Sequence, residues 1–450
     1  MLECITVDET NIDEIVSRNL EREFDAFEEI DRAVQTILED VKKNGDQALF
    51  DYSKTFDGVN LTSLKVSKRE KEEALQQVSM EELKLLQKAS DNIRRFHEKQ
   101  VEKTWIDDNE DGKILGQLIR PIDRVGLYVP GGKAIYPSSV FMNAIPAKVA
   151  GVSKIVMVTP PDRSGNIHPF TLAAAQIAGV DEIYKIGGAQ AIGALAFGTE
   201  SVRPVDKIVG PGNIYVARAK RMVFGYVDID MVAGPSEICI IADEGANAKF
   251  VAADLLSQAE HDENASAILI TTSPTLAKNV RQQLIEQLDE LERKEIASAS
   301  IQNNGKLWIV DNLDVAFQLA NAIAPEHLEL MISEPMAHLS KVRHAGAVFL
   351  GEYSPEPLGD YFAGPNHTLP TNGTARFSSP LGVYDFVKKT SLIFYDRKQL
   401  CQVQQDIAEL ARMEGFTGHA KSIEVRFEKT DGHLRKGEDD AKIGNQTANE

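Results

Sequence analysis

The fold is decided by the stretch Ser153-Lys154-Ile155-Val156-Met157-Val158-Thr159, which Pro160-Pro161 brings to an end. A short, continuous apolar run bounded by turn residues predicts a buried strand, as in a parallel sheet. An Ala-rich helix is predicted next, over 169–179, followed by a strand over 181–186. This alternation of strand and helix predicts a parallel sheet that is covered by helices.

The same alternation continues toward the C-terminus. Further strands are predicted at 207–209, 238–242, 267–271, 308–310 and 347–350, and further helices at 189–197, 214–222, 247–260, 274–292 and 400–413. The sequence therefore predicts an α/β protein with two Rossmann-like, doubly wound units and helical segments at both ends. These units lack the GxGxxG fingerprint, because Tyr215 occupies the third glycine position after Gly210-Pro211-Gly212.

The composition limits the possible partners. The 450 residues carry a net charge of −19, which repels nucleic acid and anionic membranes at long range. Three cysteines without a CxxC pair favour a reducing compartment and argue against a thiolate zinc site. Neither a signal peptide nor an apolar run long enough to span a bilayer is visible, so we expect a cytoplasmic protein. Residues 431–450 have almost nothing to bury and are expected to form a disordered tail.

Gln258 and His261 are candidate metal ligands. They lie three residues apart at the end of the helix predicted over 247–260, so both side chains can point from one helical face. An amide oxygen and an imidazole nitrogen can both bind zinc or a similar ion. The alternative is an ordinary polar helix end, which the helix dipole favours.

Glu326 and His327 are candidates for proton transfer. An adjacent carboxylate and imidazole can serve as two proton acceptors with different pKa values, which suits a reaction with two distinct proton steps. The alternative is a helix start, in which Pro325 precedes an acidic first turn. The pair alone leaves both interpretations open.

Two loops hold the remaining candidates. Residues 357–367 form a long Gly/Pro-rich loop with Asp360, which could ligate a metal or simply form a turn. A second loop over 414–419 ends at His419. Together with Gln258 and His261, these residues would form a site of nitrogen and oxygen ligands, with open positions for substrate nitrogens.

In combination, these segments closely resemble the histidinol dehydrogenase family, from about residue 25 to residue 427. The resemblance is carried, in this order, by Val125-Gly126-Leu127-Tyr128-Val129-Pro130-Gly131-Gly132, Gly187-Gly188-Ala189-Gln190-Ala191-Ile192, Gly210-Pro211-Gly212-Asn213, Ala233-Gly234-Pro235-Ser236-Glu237, Gln258-Ala259-Glu260-His261-Asp262, Pro325-Glu326-His327-Leu328-Glu329, Gly359-Asp360-Tyr361 and Glu414-Gly415-Phe416-Thr417-Gly418-His419.

The resemblance implies oxidation of L-histidinol to L-histidine through L-histidinal, with reduction of two NAD⁺, at the end of histidine biosynthesis. It implies one zinc ion per subunit, and a homodimer in which the segment with Glu414 and His419 reaches into the partner's active site. The implied zinc ligands are Gln258, His261, Asp360 and His419. The implied NAD⁺ contacts are Tyr128, Gln190 and Asn213. The implied substrate contacts are Ser236, Gln258, His261, His327, Asp360, His367, Glu414 and His419.

The resemblance also suggests a division of the chemistry. His327 would accept the alcohol proton, Glu326 would activate the water that hydrates the aldehyde, and Glu414 would bind the far N–H of the substrate imidazole. A related zinc- and NAD-dependent dehydrogenase of sulfonated diols is the nearest rival, but Glu414 would repel a sulfonate. A non-catalytic binding protein of this fold is disfavoured, because every ligand and base is present.

The expected domain boundaries follow from these patterns and from the resemblance. We expect a helical N-terminal arm (1–25), a discontinuous Rossmann-like domain (26–125 with 237–375), an NAD-contacting Rossmann-like domain (126–236), a dimer-exchanged segment (376–430) and the tail.

Overall fold

The computed structural model describes residues 4–8, 11–12, 14–15, 27–131 and 135–428. The tail predicted for 431–450 lies outside these residues. The strands are β1 (Cys4–Val7), β2 (Trp105–Glu110), β3 (Lys113–Pro121), β4 (Arg124–Tyr128), β5 (Lys154–Val158), β6 (Glu182–Tyr184), β7 (Lys207–Val209), β8 (Asp228–Ile229), β9 (Glu237–Ala242), β10 (Ser266–Thr271), β11 (Lys306–Val310), β12 (His327–Met331), β13 (Ala347–Leu350) and β14 (Val387–Tyr395).

The α-helices cover most of the remaining described chain. They are α1 (Glu28–Asn44), α2 (Asp46–Tyr52), α3 (Lys68–Leu75), α4 (Met80–His97), α5 (Pro137–Ala150), α6 (Pro169–Ala178), α7 (Gly188–Phe197), α8 (Ile214–Val223), α9 (Ala248–Ala259), α10 (Pro274–Leu288), α11 (Lys294–Asn303), α12 (Leu313–Ile323), α13 (Glu356–Tyr361), α14 (Arg397–Met413) and α15 (Thr417–Glu424).

Two parallel sheets organise the first of two compact units, which holds the described residues up to Glu102 and from Arg120 to Lys388. The β9 sheet has the strand order β1-β11-β10-β9-β12-β13, and the β4 sheet has the order β6-β5-β4-β7-β8. If the strands of each are numbered from β9 or β4, both contain the doubly wound order 3-2-1-4-5, with β1 added to the edge of the β9 sheet. The expected fold class is therefore confirmed.

Both sheets are covered by helices because successive strand residues point to opposite faces. In β9, Ile238 and Ile240 pack with α9, α10 and α11 on one face. Cys239 and Ile241 pack with α12 on the other face. Every residue from Ile238 to Ala242 is buried, which explains the continuous apolar run in the sequence.

The position of the N-terminal helices differs from the expected boundaries. Residues 26–125 were expected to join the β9 sheet. In the structure, Val34 and Leu38 of α1 pack against Val156 and Ile192, in the core of the β4 sheet. An amphipathic pattern identifies the buried face of a helix but not the sheet that receives it.

The N-terminal arm expected to be helical (1–25) contains the strand β1, which pairs in parallel with β11. The run Ile5-Thr6-Val7 is β-branched throughout, which favours a strand over a helix. Residues 1–3, 9–10, 13 and 16–26 of this arm are not described.

The second compact unit combines Lys103–Ile119 with the described residues from Lys389 onward. It holds a sheet of order β14-β3-β2, in which β2 and β3 are antiparallel, and the helices α14 and α15. The segment expected over 376–430 therefore omits the strand pair β2 and β3. It also begins too early, because Leu381 and Phe386 belong to the core of the β4 sheet. In the described part of the chain, no helix is long and apolar enough to cross a membrane.

Candidate active site

Glu326 and His327 lie where the β9 sheet begins, at its amino edge. Helix α12 ends at Ala324, which adopts a left-handed conformation (φ 54°). Pro325 then prevents further helix, and β12 starts at His327. The alternative that this segment starts a helix is therefore wrong. Both side chains are buried, with 7% of Glu326 and 5% of His327 exposed.

The first residue of the neighbouring strand β9 orients both groups. The backbone N–H of Glu237 donates to Oε2 of Glu326 (2.8 Å). Nδ1 of His327 lies 3.0 Å from the carbonyl oxygen of Glu237, so Nδ1 carries a hydrogen that it donates to this oxygen. Nε2 of His327 is left with its lone pair as a proton acceptor. Strands β9 and β12 flank the point where the strand order reverses.

Burial moves the pKa values of these two groups in opposite directions. Burial lowers the pKa of His327 from 6.5 to about 4, and the nearby His261 and His367 contribute to this shift. Burial raises the pKa of Glu326 well above its usual range, and nearby carboxyl groups, including Asp360, raise it further. At neutral pH the imidazole is uncharged and can accept a proton. The raised pKa favours the protonated form of Glu326, and the carboxylate, once ionised, is a stronger base than that of an exposed glutamate.

A cluster of possible metal ligands belongs to the same neighbourhood. Potential ligand atoms of His261, Glu356 and Asp360 lie within 4.8 Å of one another. His261 follows the end of α9, and the two carboxylates lie one turn apart on α13. Gln258 is buried on α9, and its Oε1 has no hydrogen-bond partner among the described residues. An unpartnered buried oxygen one turn before His261, together with the nitrogen and oxygen donors of this cluster, fits zinc or a similar divalent cation.

Glu356 is a site residue that the sequence reasoning missed. It is 2% exposed, its N–H donates to Oε1 of Glu329 (2.8 Å), and Ser257 Oγ donates to its Oε2 (3.3 Å). Burial and the neighbouring Asp360 raise the pKa of Glu356 to about 9. The i, i+4 spacing of Glu356 and Asp360 was visible, but residues 357–367 were interpreted as a loop, whereas α13 covers their beginning.

His367 approaches the cluster from the loop after α13. Its Nδ1 lies 3.6 Å from Oδ1 of Asp360, and its Nε2 lies 3.5 Å from Oγ of Ser139. Asn366 anchors this loop by donating to the carbonyl oxygen of Met142 (2.6 Å). Burial lowers the pKa of His367 to about 4. The other candidate for substrate contact at this edge, Ser236, directly precedes β9 and is half-buried.

The three candidate NAD⁺ contacts lie at the carboxyl edge of the β4 sheet. Tyr128 is the last residue of β4, and its hydroxyl accepts a hydrogen bond from the N–H of Gly188 at the start of α7 (3.0 Å). Gln190 is 2% exposed, and its Oε1 has no hydrogen-bond partner within the described chain. Asn213 follows β7, caps α8 through the N–H of Val216 (3.2 Å) and is exposed. This edge, beside the strand-order reversal, is where doubly wound sheets bind ligands.

Glu414 and His419 belong to the second unit, whereas all other candidate residues belong to the first. Glu414 directly follows α14, and His419 lies in the first turn of α15, so the loop expected over 414–419 is mostly a helix start. Both side chains are exposed. The ring of His419 lies 5.1 Å from that of Phe416, centroid to centroid.

Comparison with known proteins places the chain among the α/β oxidoreductases. A family model described as histidinol dehydrogenase matches residues 20–427, and the chain belongs to the histidinol dehydrogenase family.

Several relatives support this membership. A histidinol dehydrogenase of Bacillus cereus is 59% identical over 402 residues, which cover 89% of this chain and 94% of that protein. One of Halalkalibacterium halodurans is 55% identical and covers 92% of this chain and 97% of its own length. The crystal structure of histidinol dehydrogenase from Elizabethkingia anophelis superposes with a TM-score of 0.89 at 40% identity, covering 94% of this chain and 98% of that chain.

Proposed function

We propose that this protein oxidises L-histidinol to L-histidine through L-histidinal, with one zinc ion per subunit and two NAD⁺ reduced per substrate. The observation that supports this best is the buried pair Glu326 and His327, with opposite pKa shifts, beside a cluster of nitrogen and oxygen donors. Family membership supports the same substrate and its place at the end of histidine biosynthesis.

Each proposed cofactor has a separate role. Zinc, when bound, holds and orients the substrate nitrogens, and NAD⁺, when bound, accepts a hydride in each oxidation. The proposed zinc ligands are Gln258, His261, Asp360 and the His419 side chain of a second subunit. The proposed NAD⁺ contacts are Tyr128, Gln190 and Asn213. The proposed substrate contacts comprise these four zinc ligands with Ser236, His327, His367 and Glu414.

His327 carries the proton in both oxidations. Its Nδ1–H is held by the carbonyl of Glu237, so Nε2 is the free acceptor for the alcohol proton. The lowered pKa keeps the ring neutral before each proton transfer. The same atom can act again on the hydrated aldehyde.

Glu326 activates water between the two oxidations. L-Histidinal must add water before a second hydride can leave, and this step needs a base. The Glu326 carboxyl group is held by the Glu237 N–H (2.8 Å), and its raised pKa makes the ionised form a stronger base than an exposed carboxylate. A cation bound nearby would stabilise its ionised form.

A homodimer with shared active sites completes the proposal. The second unit carries Glu414 and His419 and exposes several large apolar side chains, which is typical of a surface that binds another protein. These are Ile393, Phe394, Leu410, Met413 and Phe416. Glu414 of one subunit would accept the far N–H of the imidazole bound in the other. We propose that this dimer acts in the cytoplasm.

NADH production from L-histidinol tests this function. Two NADH per histidinol consumed, abolished by a chelator and restored by zinc, are expected. One NADH per histidinol would point to a simple alcohol dehydrogenase. Full turnover after complete removal of metal would exclude the zinc site.

A further inference from the structure

Two buried charges lie at the start of the loop that carries Asn213. Lys220 lies on α8 with 3% of its side chain exposed, and Asp230 follows β8 with 1% exposed. Their side chains form an ion pair. Burying charged side chains so deeply carries a large desolvation cost, so stability alone does not account for this ion pair.

Both charges also bind the same residue, Gly210. Oδ2 of Asp230 accepts the N–H of Gly210 (2.8 Å), and Nζ of Lys220 donates to the Gly210 carbonyl oxygen (3.0 Å). The two peptide groups that flank this α-carbon are therefore fixed from both sides. Asp230 is held in turn, because its Oδ1 accepts the N–H of Met231 (2.6 Å).

Gly210 lies directly against the end of β4. Its φ of +113° lies in the region that favours glycine, and a Cβ there would stand 2.1 Å from the carbonyl oxygen of Tyr128. The loop from Gly210 to Asn213 thus starts at a fixed distance from Tyr128. Any change in the peptide of Gly210 would move Asn213 relative to Tyr128 and Gln190.

We infer that Lys220 and Asp230 are positioning residues that hold the loop 210–213 in the geometry that binds the dinucleotide. This inference rests on the proposed NAD⁺ site at the carboxyl edge of the β4 sheet. Both side chains act through the peptide of Gly210, since they are buried and their polar atoms are used. A preorganised loop binds its ligand without the entropic cost of ordering. The pair should therefore affect NAD⁺ affinity more than turnover.

Strand β7, which leads into the loop 210–213, offers a matched control at its other end. Lys207 is the first residue of β7, its side chain is 6% exposed, and it pairs with Asp228 (2.9 Å) and Asp385 (3.7 Å). Like Lys220 it is a buried, ion-paired lysine, but it lies at the amino edge of the β4 sheet. Lys207→Met should cost stability without moving the loop.

The experiment compares Lys220→Met with Lys207→Met in the full chain. NAD⁺ binding is measured by calorimetry, and KM for NAD⁺, KM for histidinol and kcat are measured by NADH formation. Lys220→Met is expected to weaken NAD⁺ binding roughly ten- to hundredfold, as for loss of a charged hydrogen bond. Its KM for histidinol and its kcat at saturating NAD⁺ should stay within about threefold. Lys207→Met should bind NAD⁺ as the wild type does.

A second variant covers the case in which Lys220→Met does not fold. Asp230→Asn keeps an oxygen for the N–H of Gly210 but removes the counter-charge of Lys220, so a smaller loss of NAD⁺ affinity is expected. Wild-type affinity in either folded variant, or equal weakening by Lys207→Met, would overturn the inference. If the wild-type protein itself does not bind NAD⁺, the proposed cofactor site fails and the inference fails with it.

Discussion

The two parallel sheets share the strand order 3-2-1-4-5 but present their candidate residues at opposite edges. Of the proposed NAD⁺ contacts, Tyr128 ends a strand and Asn213 follows one, and both lie at the carboxyl edge of the β4 sheet. The proposed bases, Glu326 and His327, precede or begin a strand at the amino edge of the β9 sheet. The same architecture can thus supply a cofactor edge in one sheet and an edge for proton chemistry in the other.

Local hydrogen bonds at the carboxyl edge of the β9 sheet support the proposal that the cofactor binds to the other sheet. There, Asp243 accepts the N–H of Ser333 with Oδ2 (2.6 Å) and that of Gly245 with Oδ1 (3.0 Å). The carboxylate thus links the chain segments that follow β9 and β12. A negative charge at this place would also repel a pyrophosphate.

The largest expected effect comes from the amino edge. His327→Asn should lower kcat by about 10²- to 10⁴-fold, because it removes the imidazole Nε2 that would accept the alcohol proton. Glu326→Gln should still release one NADH per site in a single turnover with histidinol, but not the second, because the aldehyde is no longer hydrated. Rapid-mixing measurements of NADH separate these outcomes.

Glu334→Gln is the control for both variants. Glu334 is an exposed carboxylate that follows the other end of β12, so its removal should leave both NADH equivalents intact. Near-full turnover by His327→Asn, or two NADH per site from Glu326→Gln, would contradict the assigned roles.

A smaller effect is expected from the pH dependence of stability. Burial lowers the pKa of His367 from 6.5 to about 4, so between these values the unfolded chain binds a proton that the folded protein does not. The stability associated with the neutral ring is fully present above about pH 6.5 and is lost as the pH falls toward about 4. Between about pH 7.5 and 5 this loss is about 2 kcal/mol.

The variant His367→Asn isolates this contribution. The difference in unfolding free energy between wild type and variant should shrink by about 2 kcal/mol over that range. Urea unfolding at fixed protein concentration, with a chelator present, measures it. An equal difference at both pH values would mean that the ring is solvated in the folded protein and does not lie in a dry site.

Two matched N-cap residues test the proposed NAD⁺ contacts at the carboxyl edge of the β4 sheet. Asn213 caps α8 through Val216 (3.2 Å), and Asn312 caps α12 through Val315 (3.1 Å). Replacement of either residue by Ala should cost about 1 kcal/mol of stability. Only Asn213→Ala should raise KM for NAD⁺, by about tenfold. A similar rise for Asn312→Ala would show that lost stability, and not lost contact, is responsible.

The smallest effect is expected at the carboxyl edge of the β9 sheet. Asp243→Asn keeps one acceptor oxygen and should cost about 1 kcal/mol of stability. Its KM for NAD⁺ and its kcat should remain within about twofold of wild type. A large rise in KM for NAD⁺ would mean that the cofactor approaches this edge, and the comparison between the two sheets would fail.

The sequence predicted most of the strands and helices of the two parallel sheets. The strand predicted at 347–350 has the bounds of β13, and the helix predicted at 169–179 differs from α6 by one residue. Strands buried on both faces give continuous apolar runs, and glycine or proline marks their ends. The pair Glu326 and His327 was also visible, but its position at a strand start required the left-handed Ala324.

Other features were hidden for physical reasons. All residues of Trp105–Glu110 are exposed, so this strand has no buried face to produce an alternating pattern. Glu356 precedes the Gly/Pro-rich loop predicted over 357–367, and a helix of only six residues brings its carboxylate close to that of Asp360. Lys220 and Asp230 are ten positions apart, and both hydrogen-bond to Gly210. No local sequence pattern predicts this contact.

The use of opposite edges by the two sheets is tested most directly by a crystal structure of His327→Asn with NAD⁺ and L-histidinol. We predict the dinucleotide against Tyr128, Gln190 and Asn213, and the substrate between residue 327 and the donors of His261 and Asp360. A dinucleotide bound at the carboxyl edge of the β9 sheet, beside Asp243, would contradict this account.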